Sequence, residues 1–327
     1  QELMCDKDFC TLYSLFMLAL ARKELSACSF KLFIGKKPLL PQTIEDLSTK
    51  VTWEELKEAF TDEWGVEYSK DRRKLLKAPQ GLNGTYSIRK GTKVICDEAF
   101  RWSKFIGCRS LTSLVIPDGV TTIGKSAFSG CEYLSSLVIP DSVTSIGDMA
   151  FCGCSSLTRL VIPGSVSCIG FSAFENCKSL RSIVIPESVV NLNGNPFCRW
   201  DGEQKCLSPY FIYDNKVLFN KDKSKIIAFR DKNTTSYVIP DSVTRIGKSA
   251  FRGCSFLNSV VIPDGVTSIG EYAFRHCSSL SSLVIPDSVT SIECYAFSGC
   301  ESLSSIVIPD SVTSIGYHAF ASCNLPN

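Results

Sequence analysis

The residues of this chain that could carry chemistry are its seventeen cysteines, its two histidines and a row of aspartates. Cysteine thiolates are nucleophiles and metal ligands, so their spacing comes first. Eight of them, Cys108, Cys131, Cys154 and Cys177, then Cys254, Cys277, Cys300 and Cys323, recur in steps of 23 residues apart from one break. Cys152-Gly-Cys154 and the pair Cys198 and Cys206 lack the spacing of zinc knuckles. His276 and His318 stand at turn positions of different repeats, and no nucleophile–base pattern accompanies them. We therefore expect no enzymatic activity, no cofactor and no metal site.

The aspartates Asp118, Asp141, Asp241, Asp264, Asp287 and Asp310, with Glu187 in phase, each follow a proline. Carboxylates stacked about 5 Å apart repel by roughly 1 kcal/mol per pair even in water. Turn hydrogen bonds from nearby backbone N–H groups are the expected compensation; bridging calcium is the alternative.

Both patterns belong to one element. The stretch Leu134 to Cys154, LSSLVIPDSVTSIGDMAFCGC, is rewritten along most of the chain. Its proline falls at Pro117, Pro140, Pro163 and Pro186, then at Pro240, Pro263, Pro286 and Pro309, in steps of 23 with one interval of 54. A period in the twenties with leucine at fixed offsets predicts a leucine-rich-repeat solenoid. Leu134, Leu137 and Ile139 should point inward from a short strand that Pro140 ends, since proline cannot donate to a ladder. Phe100, Phe128, Phe151, Phe174 and Phe197, then Phe251, Phe274, Phe297 and Phe320, should stack as a spine. Equivalent cysteines in coils about 4.8 Å apart run parallel, whereas a disulfide needs Cβ atoms about 3.8 Å apart and turned toward each other. A ladder of free, buried thiols follows. The glycine of the motif is replaced by Cys96, Asn193 and Glu293, so that position cannot strictly require a positive φ.

Residues 1–63 lack the repeat and read as a helical N-terminal cap or module. Cys10 to Ala21 is apolar, but the acidic Glu2, Asp6 and Asp8 before it argue for a buried helix rather than a secretory signal. Capping boxes are expected at Thr43–Asp46 and Thr52–Glu55, the second leading into a helix with Trp53, Leu56, Ala59 and Phe60 on one face. Residues 64–327 form the solenoid, with expanded hairpin units near 64–88 and 187–239. Val66 to Ile88 aligns without gaps on Val217 to Ile239, each a pair of apolar runs around a charged centre. Five extra residues lie near Arg101 to Phe105. The fold class is thus α/β: a right-handed solenoid, mostly short parallel strands, with a small helical cap.

Net charge is +2, which gives no overall footprint for nucleic acid or an anionic membrane, and no apolar run is long enough to span a bilayer. The remaining candidate surface is the outward strand position, Val115, Val138, Val161, Val184, Val261, Val284 and Val307, bordered by Ser, Thr, Arg159 and Arg181. A concave valine stripe of this kind suits a protein partner, although Val and Thr also favour pleated surfaces for their own sake. End-to-end stacking of two copies through the last coil is a further expectation.

At VIPDSVTSIG, the Ala-Phe pair and the phased cysteine, the chain resembles the BspA-like leucine-rich-repeat family, from about Ala78 to Cys323. The resemblance implies a non-enzymatic adhesion or protein-binding role, with host or extracellular-matrix proteins as partners and a cell-surface or secreted location. Family members without export signals leave an intracellular scaffold as the alternative.

Overall fold

The computed structural model describes residues 48–103 and 106–325, together with an antiparallel pair of two-residue strands, Phe33–Ile34 and Lys37–Pro38. The chain divides into two compact units, 1–46 and 47–327. The apolar run Cys10 to Ala21 and the first capping box lie outside the described residues.

The larger unit is a stack of β-coils. Each regular coil contributes one short strand to a parallel ladder running from coil to coil, and most coils add a second short strand that pairs with an equivalent in a neighbouring coil within small separate sheets. Ser113, Leu114 and Val115 stand beside Ser136, Leu137 and Val138. On a second ladder, Thr122, Ser145, Cys168 and Asn191 follow one another in register. The same step of 23 residues runs through Arg245, Ser268, Ser291 and Ser314. The five extra residues lengthen one step, Val94 to Thr122, and there the chain forms a small antiparallel pair, Arg101–Ser103 with Ile106–Gly107.

Inside each coil the repeat's apolar letters are buried: Leu134, Val143, Ile146, Ala150, Phe151 and Cys154 are fully enclosed. Successive phenylalanine rings lie 4.8 to 6.0 Å apart, mostly stacked. This column has two runs. The first is Phe100, Phe128, Phe151, Phe174 and Phe197, closed by Trp200; the second begins at Phe229 and continues to Phe320.

Each run begins with the same device. Phe60–Thr61, Glu67–Tyr68 and Lys74–Lys77 form an antiparallel meander, and Phe211–Asp214, Val217–Asn220 and Lys225–Phe229 form another. The first enters the parallel ladder with Lys74 beside Val94, the second with Lys225 beside Arg245. The Ala78 N–H donates to Ala99 and the Phe229 N–H to Ala250, at corresponding places. The expanded unit is therefore a starter: it presents a strand edge on which the first coil can stack. The second meander is also a wall between two cores, with Leu218, Ile227 and Ala228 in one and Val217, Phe219, Ile226 and Phe229 in the other.

The helical cap expected over residues 1–63 is not supported, and the α/β expectation gives way to an almost wholly β structure. Among the described residues the only α-helix is Trp53–Lys57. Its capping box is present: the Glu55 N–H donates to the Thr52 hydroxyl and the Thr52 N–H to the Glu55 carboxylate. The apolar periodicity misleads there. Trp53 and Leu56 are exposed at 67% and 38%, and Phe60 leaves the helix to pair with Tyr68. Two cation–π contacts, with Arg72 and Arg89 at 4.3 and 5.0 Å, hold the Phe60 ring in that strand position.

The motif glycine has a packing role. A Cβ on Gly147 would lie 2.6 Å from the backbone carbon of Gly124, and one on Gly170 only 2.2 Å from the Asp148 nitrogen. The left-handed positions lie elsewhere in the turn, two residues before each phenylalanine (Ser126, Met149, Ser172, Ser249, Tyr272, Tyr295) and two after it (Gly130, Gly153, Gly253, Gly299). Gly147→Ala should cost about 1–3 kcal/mol by overpacking. It should not cost more, since the coils at Asn193 and Glu293 accommodate side chains at that position. Urea unfolding measures the loss; an unchanged midpoint would show that coil spacing is not set there.

Candidate functional site

The outward valines sit where strand alternation puts them, between inward neighbours. Leu137 and Ile139 are buried while Val138 is 75% exposed, and Val161 between Leu160 and Ile162 is 78% exposed. Val115, Val184, Val261 and Val284 are exposed in the same way; Val307 is exposed between the half-buried Ile306 and the exposed Ile308, and Arg159 and Arg181 are exposed too. Parallel pairing sets Val115 beside Val138, Val261 beside Val238, and Val284 beside Val307. Sequence reading omitted Val238, 68% exposed, although its Val-Ile-Pro signature was in plain view. It also passed over Tyr133 and Phe256, large exposed aromatics two residues after the repeat cysteine.

The stripe has two segments, one for each run of coils. The first is bounded at one end by Ser87, which pairs with Val115, and at the other by Lys205, which pairs with Val184. Within it a shallow groove of about 420 Å³ is lined by Ser113, Val115, Ser136 and Val138, and by Asp118 and Asp141 from the turns below. Apolar floor and acidic rim thus lie side by side.

The turn expectation for those aspartates is corrected. It is the serine two residues after the proline that ties coil to coil: Ser142, Ser165, Ser188, Ser288 and Ser311 each donate to a valine carbonyl of the preceding coil at 2.6 to 3.0 Å. The Asp118 and Asp141 carboxylates remain exposed to solvent, where water and ionic screening weaken their mutual repulsion. Among the described residues no group of three or more His, Cys, Asp and Glu side chains is arranged to hold a metal.

All fourteen cysteines in the described region are free thiols. Those at the repeat position point into the coil beside the phenylalanine column. Cys154, Cys177, Cys277 and Cys300 each donate to the carbonyl of the phenylalanine 26 residues earlier, at 3.2 to 3.3 Å. Burial pushes the Cys108 and Cys254 thiols up to about 12, from an ordinary value near 9, and raises Cys131, Cys154, Cys177 and Cys277 as well. Nucleophilic chemistry needs the thiolate, so these side chains serve packing.

That burial has a pH consequence. An unfolded chain releases thiol protons near pH 9, whereas the fold holds them to higher pH. The stabilisation is complete below pH 9 and is lost as pH rises toward 12. Thermal melts in reductant should be level from pH 7 to 8.5 and fall steeply above 9. A melting temperature unchanged between pH 8 and 11 would show that these thiols are not buried together.

With this architecture in view, the chain belongs to the BspA-type leucine-rich-repeat family, whose model matches residues 86–202 and 225–327 in six copies. It is similar to the solved structure of a leucine-rich cell surface protein from Faecalibacterium prausnitzii, at 25% identity and a TM-score of 0.52, covering 81% of this chain and 92% of that one. The pneumococcal vaccine antigen PcpA shares the fold at 21% identity and a TM-score of 0.59, over 82% and 80% of the two chains. No curated protein sequence matches this chain. Among the described residues, no helix is long and apolar enough to cross a membrane.

Proposed function

We propose that this protein is a non-enzymatic adhesion protein that presents its valine stripe to a host or extracellular-matrix protein from the cell surface or in secreted form. In this reading residues 64–327 are the binding solenoid and 1–63 an N-terminal module whose last strand, Phe60–Thr61, joins the solenoid's first meander. One observation carries the proposal: valines exposed at one position of successive coils, several of them set side by side by strand pairing, whose side chains have no internal partner. Contiguous apolar surface rimmed by polar groups marks interaction sites, and the groove at Val115 and Val138 gives a partner side chain somewhere to seat. The surface location is favoured by membership of the family and by the fold shared with the Faecalibacterium surface protein. The test is capture by immobilised collagen, laminin and fibronectin of the intact protein beside a Val138→Glu/Val161→Glu variant.

A second reading, an intracellular scaffold that organises a cytoplasmic partner, is favoured by the fourteen free thiols, since reducing compartments keep thiols unpaired. Surface labelling of intact cells separates the two: label on the protein supports adhesion, and its absence supports the scaffold.

A further inference from the structure

The repeat is broken once, between Pro186 and Pro240, and the coils on either side of the break are pinned to each other by polar groups. The Asn195 N–H donates to Lys248 and its side-chain amide to Ser249, across 53 and 54 residues of sequence. Arg252 reaches back to Glu175 at 2.9 Å and to the Ser172 hydroxyl at 3.3 Å. Looping out the segment between them therefore brings Arg199 onto the same turn face as Arg252 and Arg275.

These side chains occupy the two positions after the phenylalanine, which hold only Ser, Cys, Ala or Gly after Phe128, Phe151, Phe297 and Phe320, while Phe100 is followed by Arg101 and Trp102 and Phe174 by Glu175 and Asn176. Arg199 extends over Gly253, where an added Cβ would lie 3.1 Å from its Cγ. His276 likewise covers Gly299, its Nδ1 2.6 Å from where a Cβ would be. The glycines thus leave room for the Arg199 guanidinium and the His276 ring. Tyr272 and Tyr295, stacked 5.3 Å apart, flank it, with the Arg275 guanidinium 5.3 and 5.8 Å from their rings and that of Arg252 5.8 Å from Tyr272.

The charge balance of this face is uneven. Glu175 neutralises Arg252, but among the described residues Arg199 and Arg275 have no ion-pair partner. The buried Nε atoms of Arg252 and Arg275 lack any hydrogen-bond partner, as does the Glu175 Oε2. Burial, together with Arg199, Arg275 and Arg252, holds the His276 imidazole down to about 4, so the ring is neutral at pH 7 and can still donate one N–H. Three guanidiniums and one carboxylate leave a local charge of about +2 in a chain of balanced overall charge.

We propose that Arg199, Arg275 and His276, backed by Arg252, form a binding site for a dianionic tetrahedral oxyanion, a phosphate monoester being the fitting class. A phosphate carries about −1.5 to −2 charges at pH 7 and three acceptor oxygens, matching the local excess, and planar guanidinium forks suit such oxygens in paired hydrogen bonds. The site lies on the turn face, apart from the valine strands, and does not depend on their role.

The experiment is a thermal melt and a calorimetric titration of the whole chain at pH 7.5 with inorganic phosphate, with sodium sulfate and sodium chloride as arms of matched ionic strength. Phosphate should raise the melting temperature by several degrees where chloride does not. The Arg199→Ala/Arg275→Ala variant should bind phosphate at least tenfold more weakly, and Val138→Glu/Val161→Glu should bind it as well as the parent. Arg199→Ala alone, at an exposed side chain, keeps the test available if the double variant fails to fold. A response to sulfate equal to that to phosphate supports the shared oxyanion chemistry and widens its source. A phosphate response no larger than that to chloride, or one undiminished in both arginine variants, overturns the proposal.

Discussion

Phe151→Ala should cost about 3–5 kcal/mol of stability, the range for deleting a fully buried aromatic. The ring is wholly enclosed and stacked between two others, 5.3 Å from Phe128 and 5.9 Å from Phe174. Its loss opens a gap at the centre of the first column and weakens two coil–coil interfaces at once. In a stack where each coil contacts only its neighbours, stability is a sum of coil and interface terms. Phe320, half-buried and stacked on Phe297 alone at 5.3 Å, supplies the comparison. Phe320→Ala should cost about half as much, since one interface is lost. Urea unfolding of both variants measures this. Equal losses, or a loss below 1 kcal/mol at Phe151, would mean that the phenylalanine column is not what couples the coils.

The inward letters of the repeat were legible because they recur: a side chain that must fill the same space in every coil appears at the same offset every time. Hence the phenylalanine spine, the buried cysteines and the strand-ending proline could be read directly, as could the kinship of Val66–Ile88 with Val217–Ile239. The third meander strand at Phe60–Thr61 was not legible. Its two residues follow a short helix whose periodicity runs through them, and only pairing with Glu67–Tyr68 decides their conformation. The aspartate and serine of the turn recur equally well, so recurrence could not say which makes the inter-coil bond; that needs the geometry of Ser142 against the Val120 carbonyl. The arginine row was hidden for the opposite reason. Arg199, Arg252 and Arg275 are exceptions to the repeat, and Arg199 becomes their neighbour only when the intervening segment is looped out.

That contrast separates scaffold from function. The apolar interior and the hydroxyl ladder, in which Thr144, Thr267, Thr290 and Thr313 each donate to the preceding coil at 3.2 to 3.3 Å, hold the stack in register. Register in turn fixes the spacing of the outward side chains. Valine at that position stabilises nothing inside the coil, so its exposure is free to be used at an interface.

The central claim is that the valine stripe binds the partner, and the direct measurement is the affinity of the Val138→Glu/Val161→Glu variant. Both side chains are exposed, so the substitutions should alter stability by no more than about 0.5 kcal/mol each. At a desolvated interface the two carboxylates would be left without partners, and truncating central contacts there costs 2 kcal/mol or more per residue. Binding should therefore fall by about 100-fold or more, with unfolding midpoints near those of the parent. An Asp118→Asn/Asp141→Asn variant, altered only on the rim, should change affinity by much less. Binding by the valine variant at parental affinity, with its fold intact, would contradict the account.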